Sequence, residues 1–155
     1  MIAALALTAA LALSPAVSTD QWLDYDNPLK KGQKLFDSPI SLYQGRMYVE
    51  EDNDLRYCIR YRESRHAYGA NTGTGKYRGA YQFSRKFKNG MAWQIQKELR
   101  DTGTPKKQAI KIGRALRGAP ANKWNPFYQD FAFWMGWNKG KGAYHWEATG
   151  WSDKC

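Results

Sequence analysis

Residues 62–84 read RESRHAYGANTGTGKYRGAYQFS. One carboxylate, Glu63, stands there among three arginines, a lysine, three tyrosines and four glycines. Upstream, Asn53 or Asp54 supplies a helix cap, and Leu55, Cys58 and Ile59 recur at the i, i+3, i+4 interval. Continuing that face brings Arg62 and Glu63 onto or beside the buried stripe. Downstream, Gly69, Gly73, Gly75 and Gly79 demand turns and predict a small β-hairpin region. Glu63 therefore falls where a helix gives way to a glycine-rich loop. Two roles are open to it on periodicity alone. One is a solvated pair with Arg60, worth about 0.2–0.5 kcal/mol. The other is a carboxyl facing a cleft, where lost solvation lets it hold its proton longer.

The helical text continues beyond the loop. Ser84 caps a short helix through Phe87, and Ala92, Ile95 and Leu99 mark a second, stopped near Gly103. Thr104-Pro105 is a cap followed by proline at the first helical position, opening a helix with Ala109, Ile112, Gly113 and Leu116. Asn125-Pro126 repeats that signal before Phe127, Phe131, Trp134 and Asn138. The run NPFYQDFAFWMGW reads as core, with Tyr128 and Trp137 reaching the surface; stacking of one ring on a sugar is its minor reading. KKQAIKIGRALRG reads as an amphipathic helix with a solvated positive face. From Gly140 the chain reads as loop. Residues 19–53 form a polar lead-in containing Pro28, Pro39 and a hairpin of Ile40–Tyr43 with Arg46–Val49. The expected fold class is mainly α (α+β), with one domain over residues 54–155 and a small β-hairpin region inside it.

Charge bounds the partners. The chain of 155 residues has 24 basic against 14 acidic side chains, a formal +10. Three of those acids, Asp20, Asp24 and Asp26, precede the first base, Lys30, so the remainder is more basic still. Such a field attracts polyanions: nucleic acid, anionic membrane or acidic wall polymers. Aromatics at 15%, with seven tryptophans and ten tyrosines, exceed what a small core needs. Residues 1–18, MIAALALTAALALSPAVS, form an apolar run with Ala16 and Ser18 as small residues before a cleavage point. No base precedes the run, and Ser14-Pro15 breaks it, so it reads as a signal peptide or short membrane-associated segment and not a stable span. In an exported chain the two cysteines, Cys58 and Cys155, are most simply one disulfide.

Two familiar sites are excluded by spacing. GANTGTGK approaches a phosphate loop, but the pattern requires glycine at Ala70 and serine or threonine at Tyr77. His66 and His145 lack the short spacings of a metal site with Cys58 or Cys155. No metal and no cofactor is expected.

At RES…NTGTGKYRGAYQFS the chain resembles the catalytic segment of the actinobacterial resuscitation-promoting factors and the wider transglycosylase-like, lysozyme-like group. The resemblance rests on Glu63-Ser64, Asn71-Thr72-Gly73, Gly75, Tyr77, Gly79 and Gln82-Phe83, with the same eight-residue step from Glu63 to Asn71. It departs at two points: Ser84 stands where some members carry an acid, and the cysteine that often directly precedes the glutamate is five residues earlier, at Cys58. The first 50 residues lie outside it.

The resemblance implies a lysozyme-like fold that cuts the MurNAc–GlcNAc β-1,4 bond of peptidoglycan, in cell-wall remodelling or phage lysis or entry. It implies Glu63 as catalytic acid, and Gln82, Tyr77, Tyr81, Asn71 and Ser64 as substrate-binding residues. The expected partner is the glycan strand, met by a secreted monomer, with no nucleic acid. No other Asp or Glu occurs between Glu63 and Glu98. A two-carboxylate hydrolase needs its second acid about 5–9.5 Å away, leaving Asp54, Glu98, Asp101 and Asp130 as candidates. A single acid suits a lytic transglycosylase, with simple hydrolysis as the alternative outcome. The competing class is a non-catalytic, basic, aromatic-rich module binding wall polymer or single-stranded nucleic acid.

Overall fold

The computed structural model describes residues 39–147 and Cys155. The expected signal or membrane-associated segment, residues 19–38 of the lead-in, and residues 148–154 lie outside the described residues. The described chain is mainly helical. In order it forms α1 (Asn53–Ser64), β1 (Tyr77–Arg78), β2 (Phe83–Ser84), α2 (Arg85–Asp101), α3 (Lys106–Gly118), α4 (Pro126–Trp137) and a short α5 (Tyr144–Glu147). Single 3-10 turns precede α1 at Glu50–Asp52 and α4 at Ala121–Lys123. The sheet is one antiparallel pair, Tyr77 opposite Ser84 and Arg78 opposite Phe83, extended by a bridge from Asn71 to Arg78.

Two of the cap signals work as read. Asn53 and Asp54 instead fall inside α1 behind Asp52, and Pro105, not Thr104, stands at the N-cap of α3, neither helix having a side-chain cap bond. Ser84 Oγ accepts the Phe87 N–H at 3.2 Å, and Asn125 Oδ1 accepts the Phe127 N–H at 2.9 Å with Pro126 following. What Ser84 opens is not a short helix, however, but all 17 residues of α2. The stripe Met91, Ala92, Ile95, Leu99 is buried along one face, and its burial outweighs the penalty of about 1 kcal/mol for Gly90 in the interior. α3 buries Ala109, Ile112, Gly113 and Leu116 as the pattern requires. At Gly113 a Cβ would stand 2.3 Å from Gln96 Oε1, so α2 and α3 approach as closely as they do only because that side chain is absent.

α4 is the central helix. Of its residues every one but Met135 is buried, including Tyr128 and Trp137, which the sequence had put at the surface. A helix packed on every side has no solvent face to offer. Phe131, Phe133 and Trp134 are enclosed by Tyr43, Tyr81, Trp146 and the other elements.

The expected lead-in hairpin is absent, and residues 39–49 instead pack on α4. Tyr43 stacks on Phe131 at 4.0 Å between ring centroids. The Leu42 N–H donates to Asp130 Oδ2 at 2.8 Å, and Ser41 Oγ donates to the Tyr43 carbonyl while accepting from Trp134 Nε1. Side chains thus take up the backbone and hydroxyl groups that a strand ladder would have paired. The core accordingly begins before Asp54.

α1 also turns a different face inward. Its buried residues are Arg56, Ile59 and Arg60, while Leu55 and Cys58 are half-buried. A disulfide joins Cys58 to Cys155, with Cα atoms 5.7 Å apart across 97 positions. Among the described residues no helix is long and apolar enough to cross a membrane.

Candidate functional site

Two buried arginines decide where the end of α1 sits. The Tyr81 hydroxyl accepts from Arg56 Nη1 at 2.8 Å and donates to Asp130 Oδ1 at 2.6 Å. The Tyr68 hydroxyl repeats the arrangement, accepting from Arg60 Nη1 and donating to the same Asp130 oxygen at 2.8 Å. Arg56 Nη1 also lies 3.6 Å from that oxygen, with both side chains fully buried. Each tyrosine is therefore a neutral bridge between a cation on α1 and the carboxylate on α4. Burial, then the Asp130 charge, pushes both phenols well above the ordinary tyrosine range. Arg60 Nε in addition donates to His66 Nδ1 at 3.2 Å, and the His66 ring stacks on Tyr57.

The hairpin is fixed to the same frame. The Ala80 N–H donates to Gln129 Oε1 at 2.7 Å, and Gln129 Nε2 donates to the carbonyls of Tyr68 and Trp124. Ser64 Oγ donates to the Ala80 carbonyl at 2.8 Å. Both backbone groups of Ala80 are thus held, one from α4 and one from the last residue of α1. Gly79 makes the approach possible: it sits at φ +84°, and a Cβ there would lie 2.5 Å from Gln129 Oε1.

Glu63 occupies the last turn of α1, one residue before the Ser64 link to the hairpin. It is half-buried, and its Oε1 is shielded from solvent. Just beyond it, Arg65 (φ 54°) and His66 (φ 65°) are both left-handed, closing the helix through the Arg65 N–H to the Tyr61 carbonyl at 2.7 Å. Gln82, on the other side of the Ser64–Ala80 link, is left-handed as well, at φ 51°. Each such non-glycine residue costs about 1–2 kcal/mol, and the three flank the glycine-rich segment that follows Glu63.

The remaining expected residues divide. Gln82 borders a small cavity of about 80 Å³ with Tyr77 and Tyr81, closed by Phe83, Ser84, Phe87, His145 and Trp146. Its Nε2 donates to the Gly79 carbonyl at 2.9 Å, while its Oε1 is buried with no protein hydrogen-bond partner among the described residues. Burial lowers the pKa of His145 on the facing wall. Tyr77 is exposed and Asn71 lies at the hairpin edge. Tyr81, in the wall of that cavity, is only 1% exposed, and its hydroxyl is committed to Arg56 and Asp130. Ser64 is likewise engaged in positioning, through Ala80.

The other carboxylates the sequence offered are occupied or distant. Asp130 is at the bottom of the core. Glu98 is buried and held by Arg46 through two hydrogen bonds of 2.9 and 2.5 Å. Asp101 pairs with Lys97, which lowers its pKa. Asp54 lies in the first turn of the helix whose last turn holds Glu63, about 13 Å along the axis at 1.5 Å per residue.

Sequence reasoning missed Arg56, Gln129 and Asp130 as the residues that build this corner. A signal for two of them was present, since Gln129-Asp130 is a polar pair inside an otherwise apolar helix. Comparison of the chain with family models, with curated proteins and with solved structures gives no match.

Proposed function

We propose that this chain is a peptidoglycan-degrading enzyme with a lysozyme-like fold, cutting the MurNAc–GlcNAc β-1,4 bond as a lytic transglycosylase. The observation that carries this reading is the setting of Glu63. It lies at the junction of α1 and a glycine-rich hairpin, one oxygen shielded from solvent, with the hairpin fastened to the adjacent Ser64. The motif shared with the resuscitation-promoting factors falls on that junction, from Glu63 through Phe83.

In the proposed reaction the Glu63 carboxyl gives its proton to the glycosidic oxygen as the C1–O bond breaks. The substrate's own N-acetyl carbonyl oxygen stabilises the cationic C1. The Glu63 carboxylate then takes the proton of the same sugar's C6 hydroxyl, whose oxygen closes onto C1 to give a 1,6-anhydro ring. One group serves as acid and then as base, and its protonation state is restored. The engagement of Asp130, Glu98 and Asp101 elsewhere, and the distance of Asp54, favour this single-acid route over a two-carboxylate hydrolase. The disulfide is compatible with export to the cell wall.

Digestion of purified sacculi, with mass spectrometry of the fragments, tests the reading. Anhydro-ended muropeptides support it; reducing ends alone keep Glu63 and discard transglycosylation. A second reading, a non-catalytic module binding wall polymer or nucleic acid, is favoured by the exposed rings of Trp93 and Tyr144, 57% and 63% accessible on a basic chain. It requires binding without any fragments released.

A further inference from the structure

Outside the Glu63 corner, a cavity of about 300 Å³ lies between the hairpin, the start of α2 and the end of α3. Five cations line it: Lys76, Arg78, Arg85, Lys88 and Arg117. Among the described residues no carboxylate lines it, and none of the five has an acidic partner. The rest of the wall is Gly75 and Phe83 with the small and apolar segment Gly118–Ala121.

The five are not equivalent. Lys88 is buried, and its Nζ donates to the carbonyls of Leu116, Arg117 and Ala119, closing the C-terminus of α3. Its charge is fixed in the wall while its protons are spent. Burial, and next the charges of Arg85 and Arg78, lower its pKa, as expected of cations crowded without a counter-ion. Arg117 is braced by Gln96 Oε1 at 3.1 Å and by the Trp93 ring at 3.6 Å. Arg78 is oriented by its Nε bond to the Gly75 carbonyl at 3.0 Å, which leaves its terminal nitrogens for a ligand. Arg85 is exposed at the mouth. Pre-oriented guanidinium groups suit carboxylates in bidentate geometry, and the apolar wall suits small aliphatic side chains beside them.

We infer that this cavity binds an acidic peptide, specifically the short carboxylate-bearing peptide carried by the glycan strand, so that the enzyme grips its polymer at a site separate from Glu63. The choice of this peptide rests on the function proposed above; the preference for an acidic aliphatic ligand over a bare phosphate chain rests on the mixed wall.

The test is titration of the ¹⁵N-labelled full chain with N-acetylmuramyl-tetrapeptide, the same sugar without peptide, and a short oligonucleotide. The inference expects amide shifts at residues 75–88 and 117–121 with the peptide-bearing ligand and none there with the bare sugar. Arg85→Gln, at an exposed position, should weaken binding on the order of tenfold, and Arg78→Gln by a similar factor, with native spectral dispersion kept. Absence of shifts in those segments overturns the inference, as does tighter binding of the oligonucleotide in the same cavity. Peptide binding by a protein that releases no fragments from sacculi would overturn the catalytic reading and leave this site standing.

Discussion

Replacing Asp130 with asparagine preserves shape and removes the charge on which the corner depends. The two tyrosine hydroxyls reach Oδ1, at 2.6 and 2.8 Å, and the Leu42 N–H reaches Oδ2 at 2.8 Å. Every one of these neighbours donates. An amide NH₂ in either position therefore faces a donor: it orphans the Leu42 N–H in one orientation and both phenols in the other. Arg56, fully buried, loses its counter-charge in both. Removing one partner of a buried ion pair costs about 3–5 kcal/mol. With a urea slope of about 2 kcal/mol per molar, Asp130→Asn should lower the unfolding midpoint by about 1.5–2.5 M. Tryptophan fluorescence is a suitable probe, since Trp134 is bonded to Ser41 beside Asp130. The same substitution in an Arg56→Met background should cost at least about 1 kcal/mol less, because the two residues share one network. A shift below about 0.5 M would refute this reasoning, as would strict additivity of the two changes.

Other consequences follow from the same corner and from the chain's ends. Burial raises the pKa of Tyr43 to about 12, and those of Tyr68 and Tyr81 further. The unfolded chain releases these protons near pH 10 while the folded chain retains them, so stability present below pH 10 should be lost progressively above it. Phenolate absorbance should accordingly rise in two stages, the second coinciding with loss of circular dichroism; a single stage near pH 10 with the fold intact would contradict the burial. Gly79→Ala should destabilise by at least about 1–2 kcal/mol from the left-handed backbone alone, and further from the Gln129 contact, measured by thermal unfolding; a neutral result would mean the hairpin is not held as described. Cys155→Ser should cost about 2–4 kcal/mol, against about 4.7 kcal/mol for a loop of this length in the chain-entropy model. Chemical denaturation with and without reductant checks it, and a difference under about 0.5 kcal/mol would show that the bridge constrains little.

The helices beyond the hairpin were legible because their signals are local: Ser84, Thr104-Pro105 and Asn125-Pro126 each mark a start within a turn. The continuity of α2 through Gly90 was not, since only packing against α3 decides it. The inward face of α1 was misread because periodicity scores arginine as polar, and nothing nearby in sequence announces that Asp130, some 70 residues on, waits for Arg56 and Arg60. What the Tyr81 hydroxyl does was illegible for the same reason: its partners, Arg56 and Asp130, are distant in sequence and buried. The burial of Tyr128 and Trp137 follows from α4 being surrounded, a property of the whole assembly and not of its own text. Glu63 stands out in the sequence by its solitude among bases and by the motif around it, and the structure adds its half-buried place in the last turn of α1.

The most direct measurement is the digestion of purified sacculi by the wild-type chain and by Glu63→Gln, with fragments identified by mass spectrometry. General acid–base catalysis contributes about 10²–10⁴-fold, so the variant, folded and with an unchanged urea midpoint, should release anhydro-ended muropeptides at least about 100-fold more slowly than wild type. A variant that cuts at the wild-type rate, or a wild type that releases no fragments at all, would contradict the assignment of Glu63 as the catalytic acid.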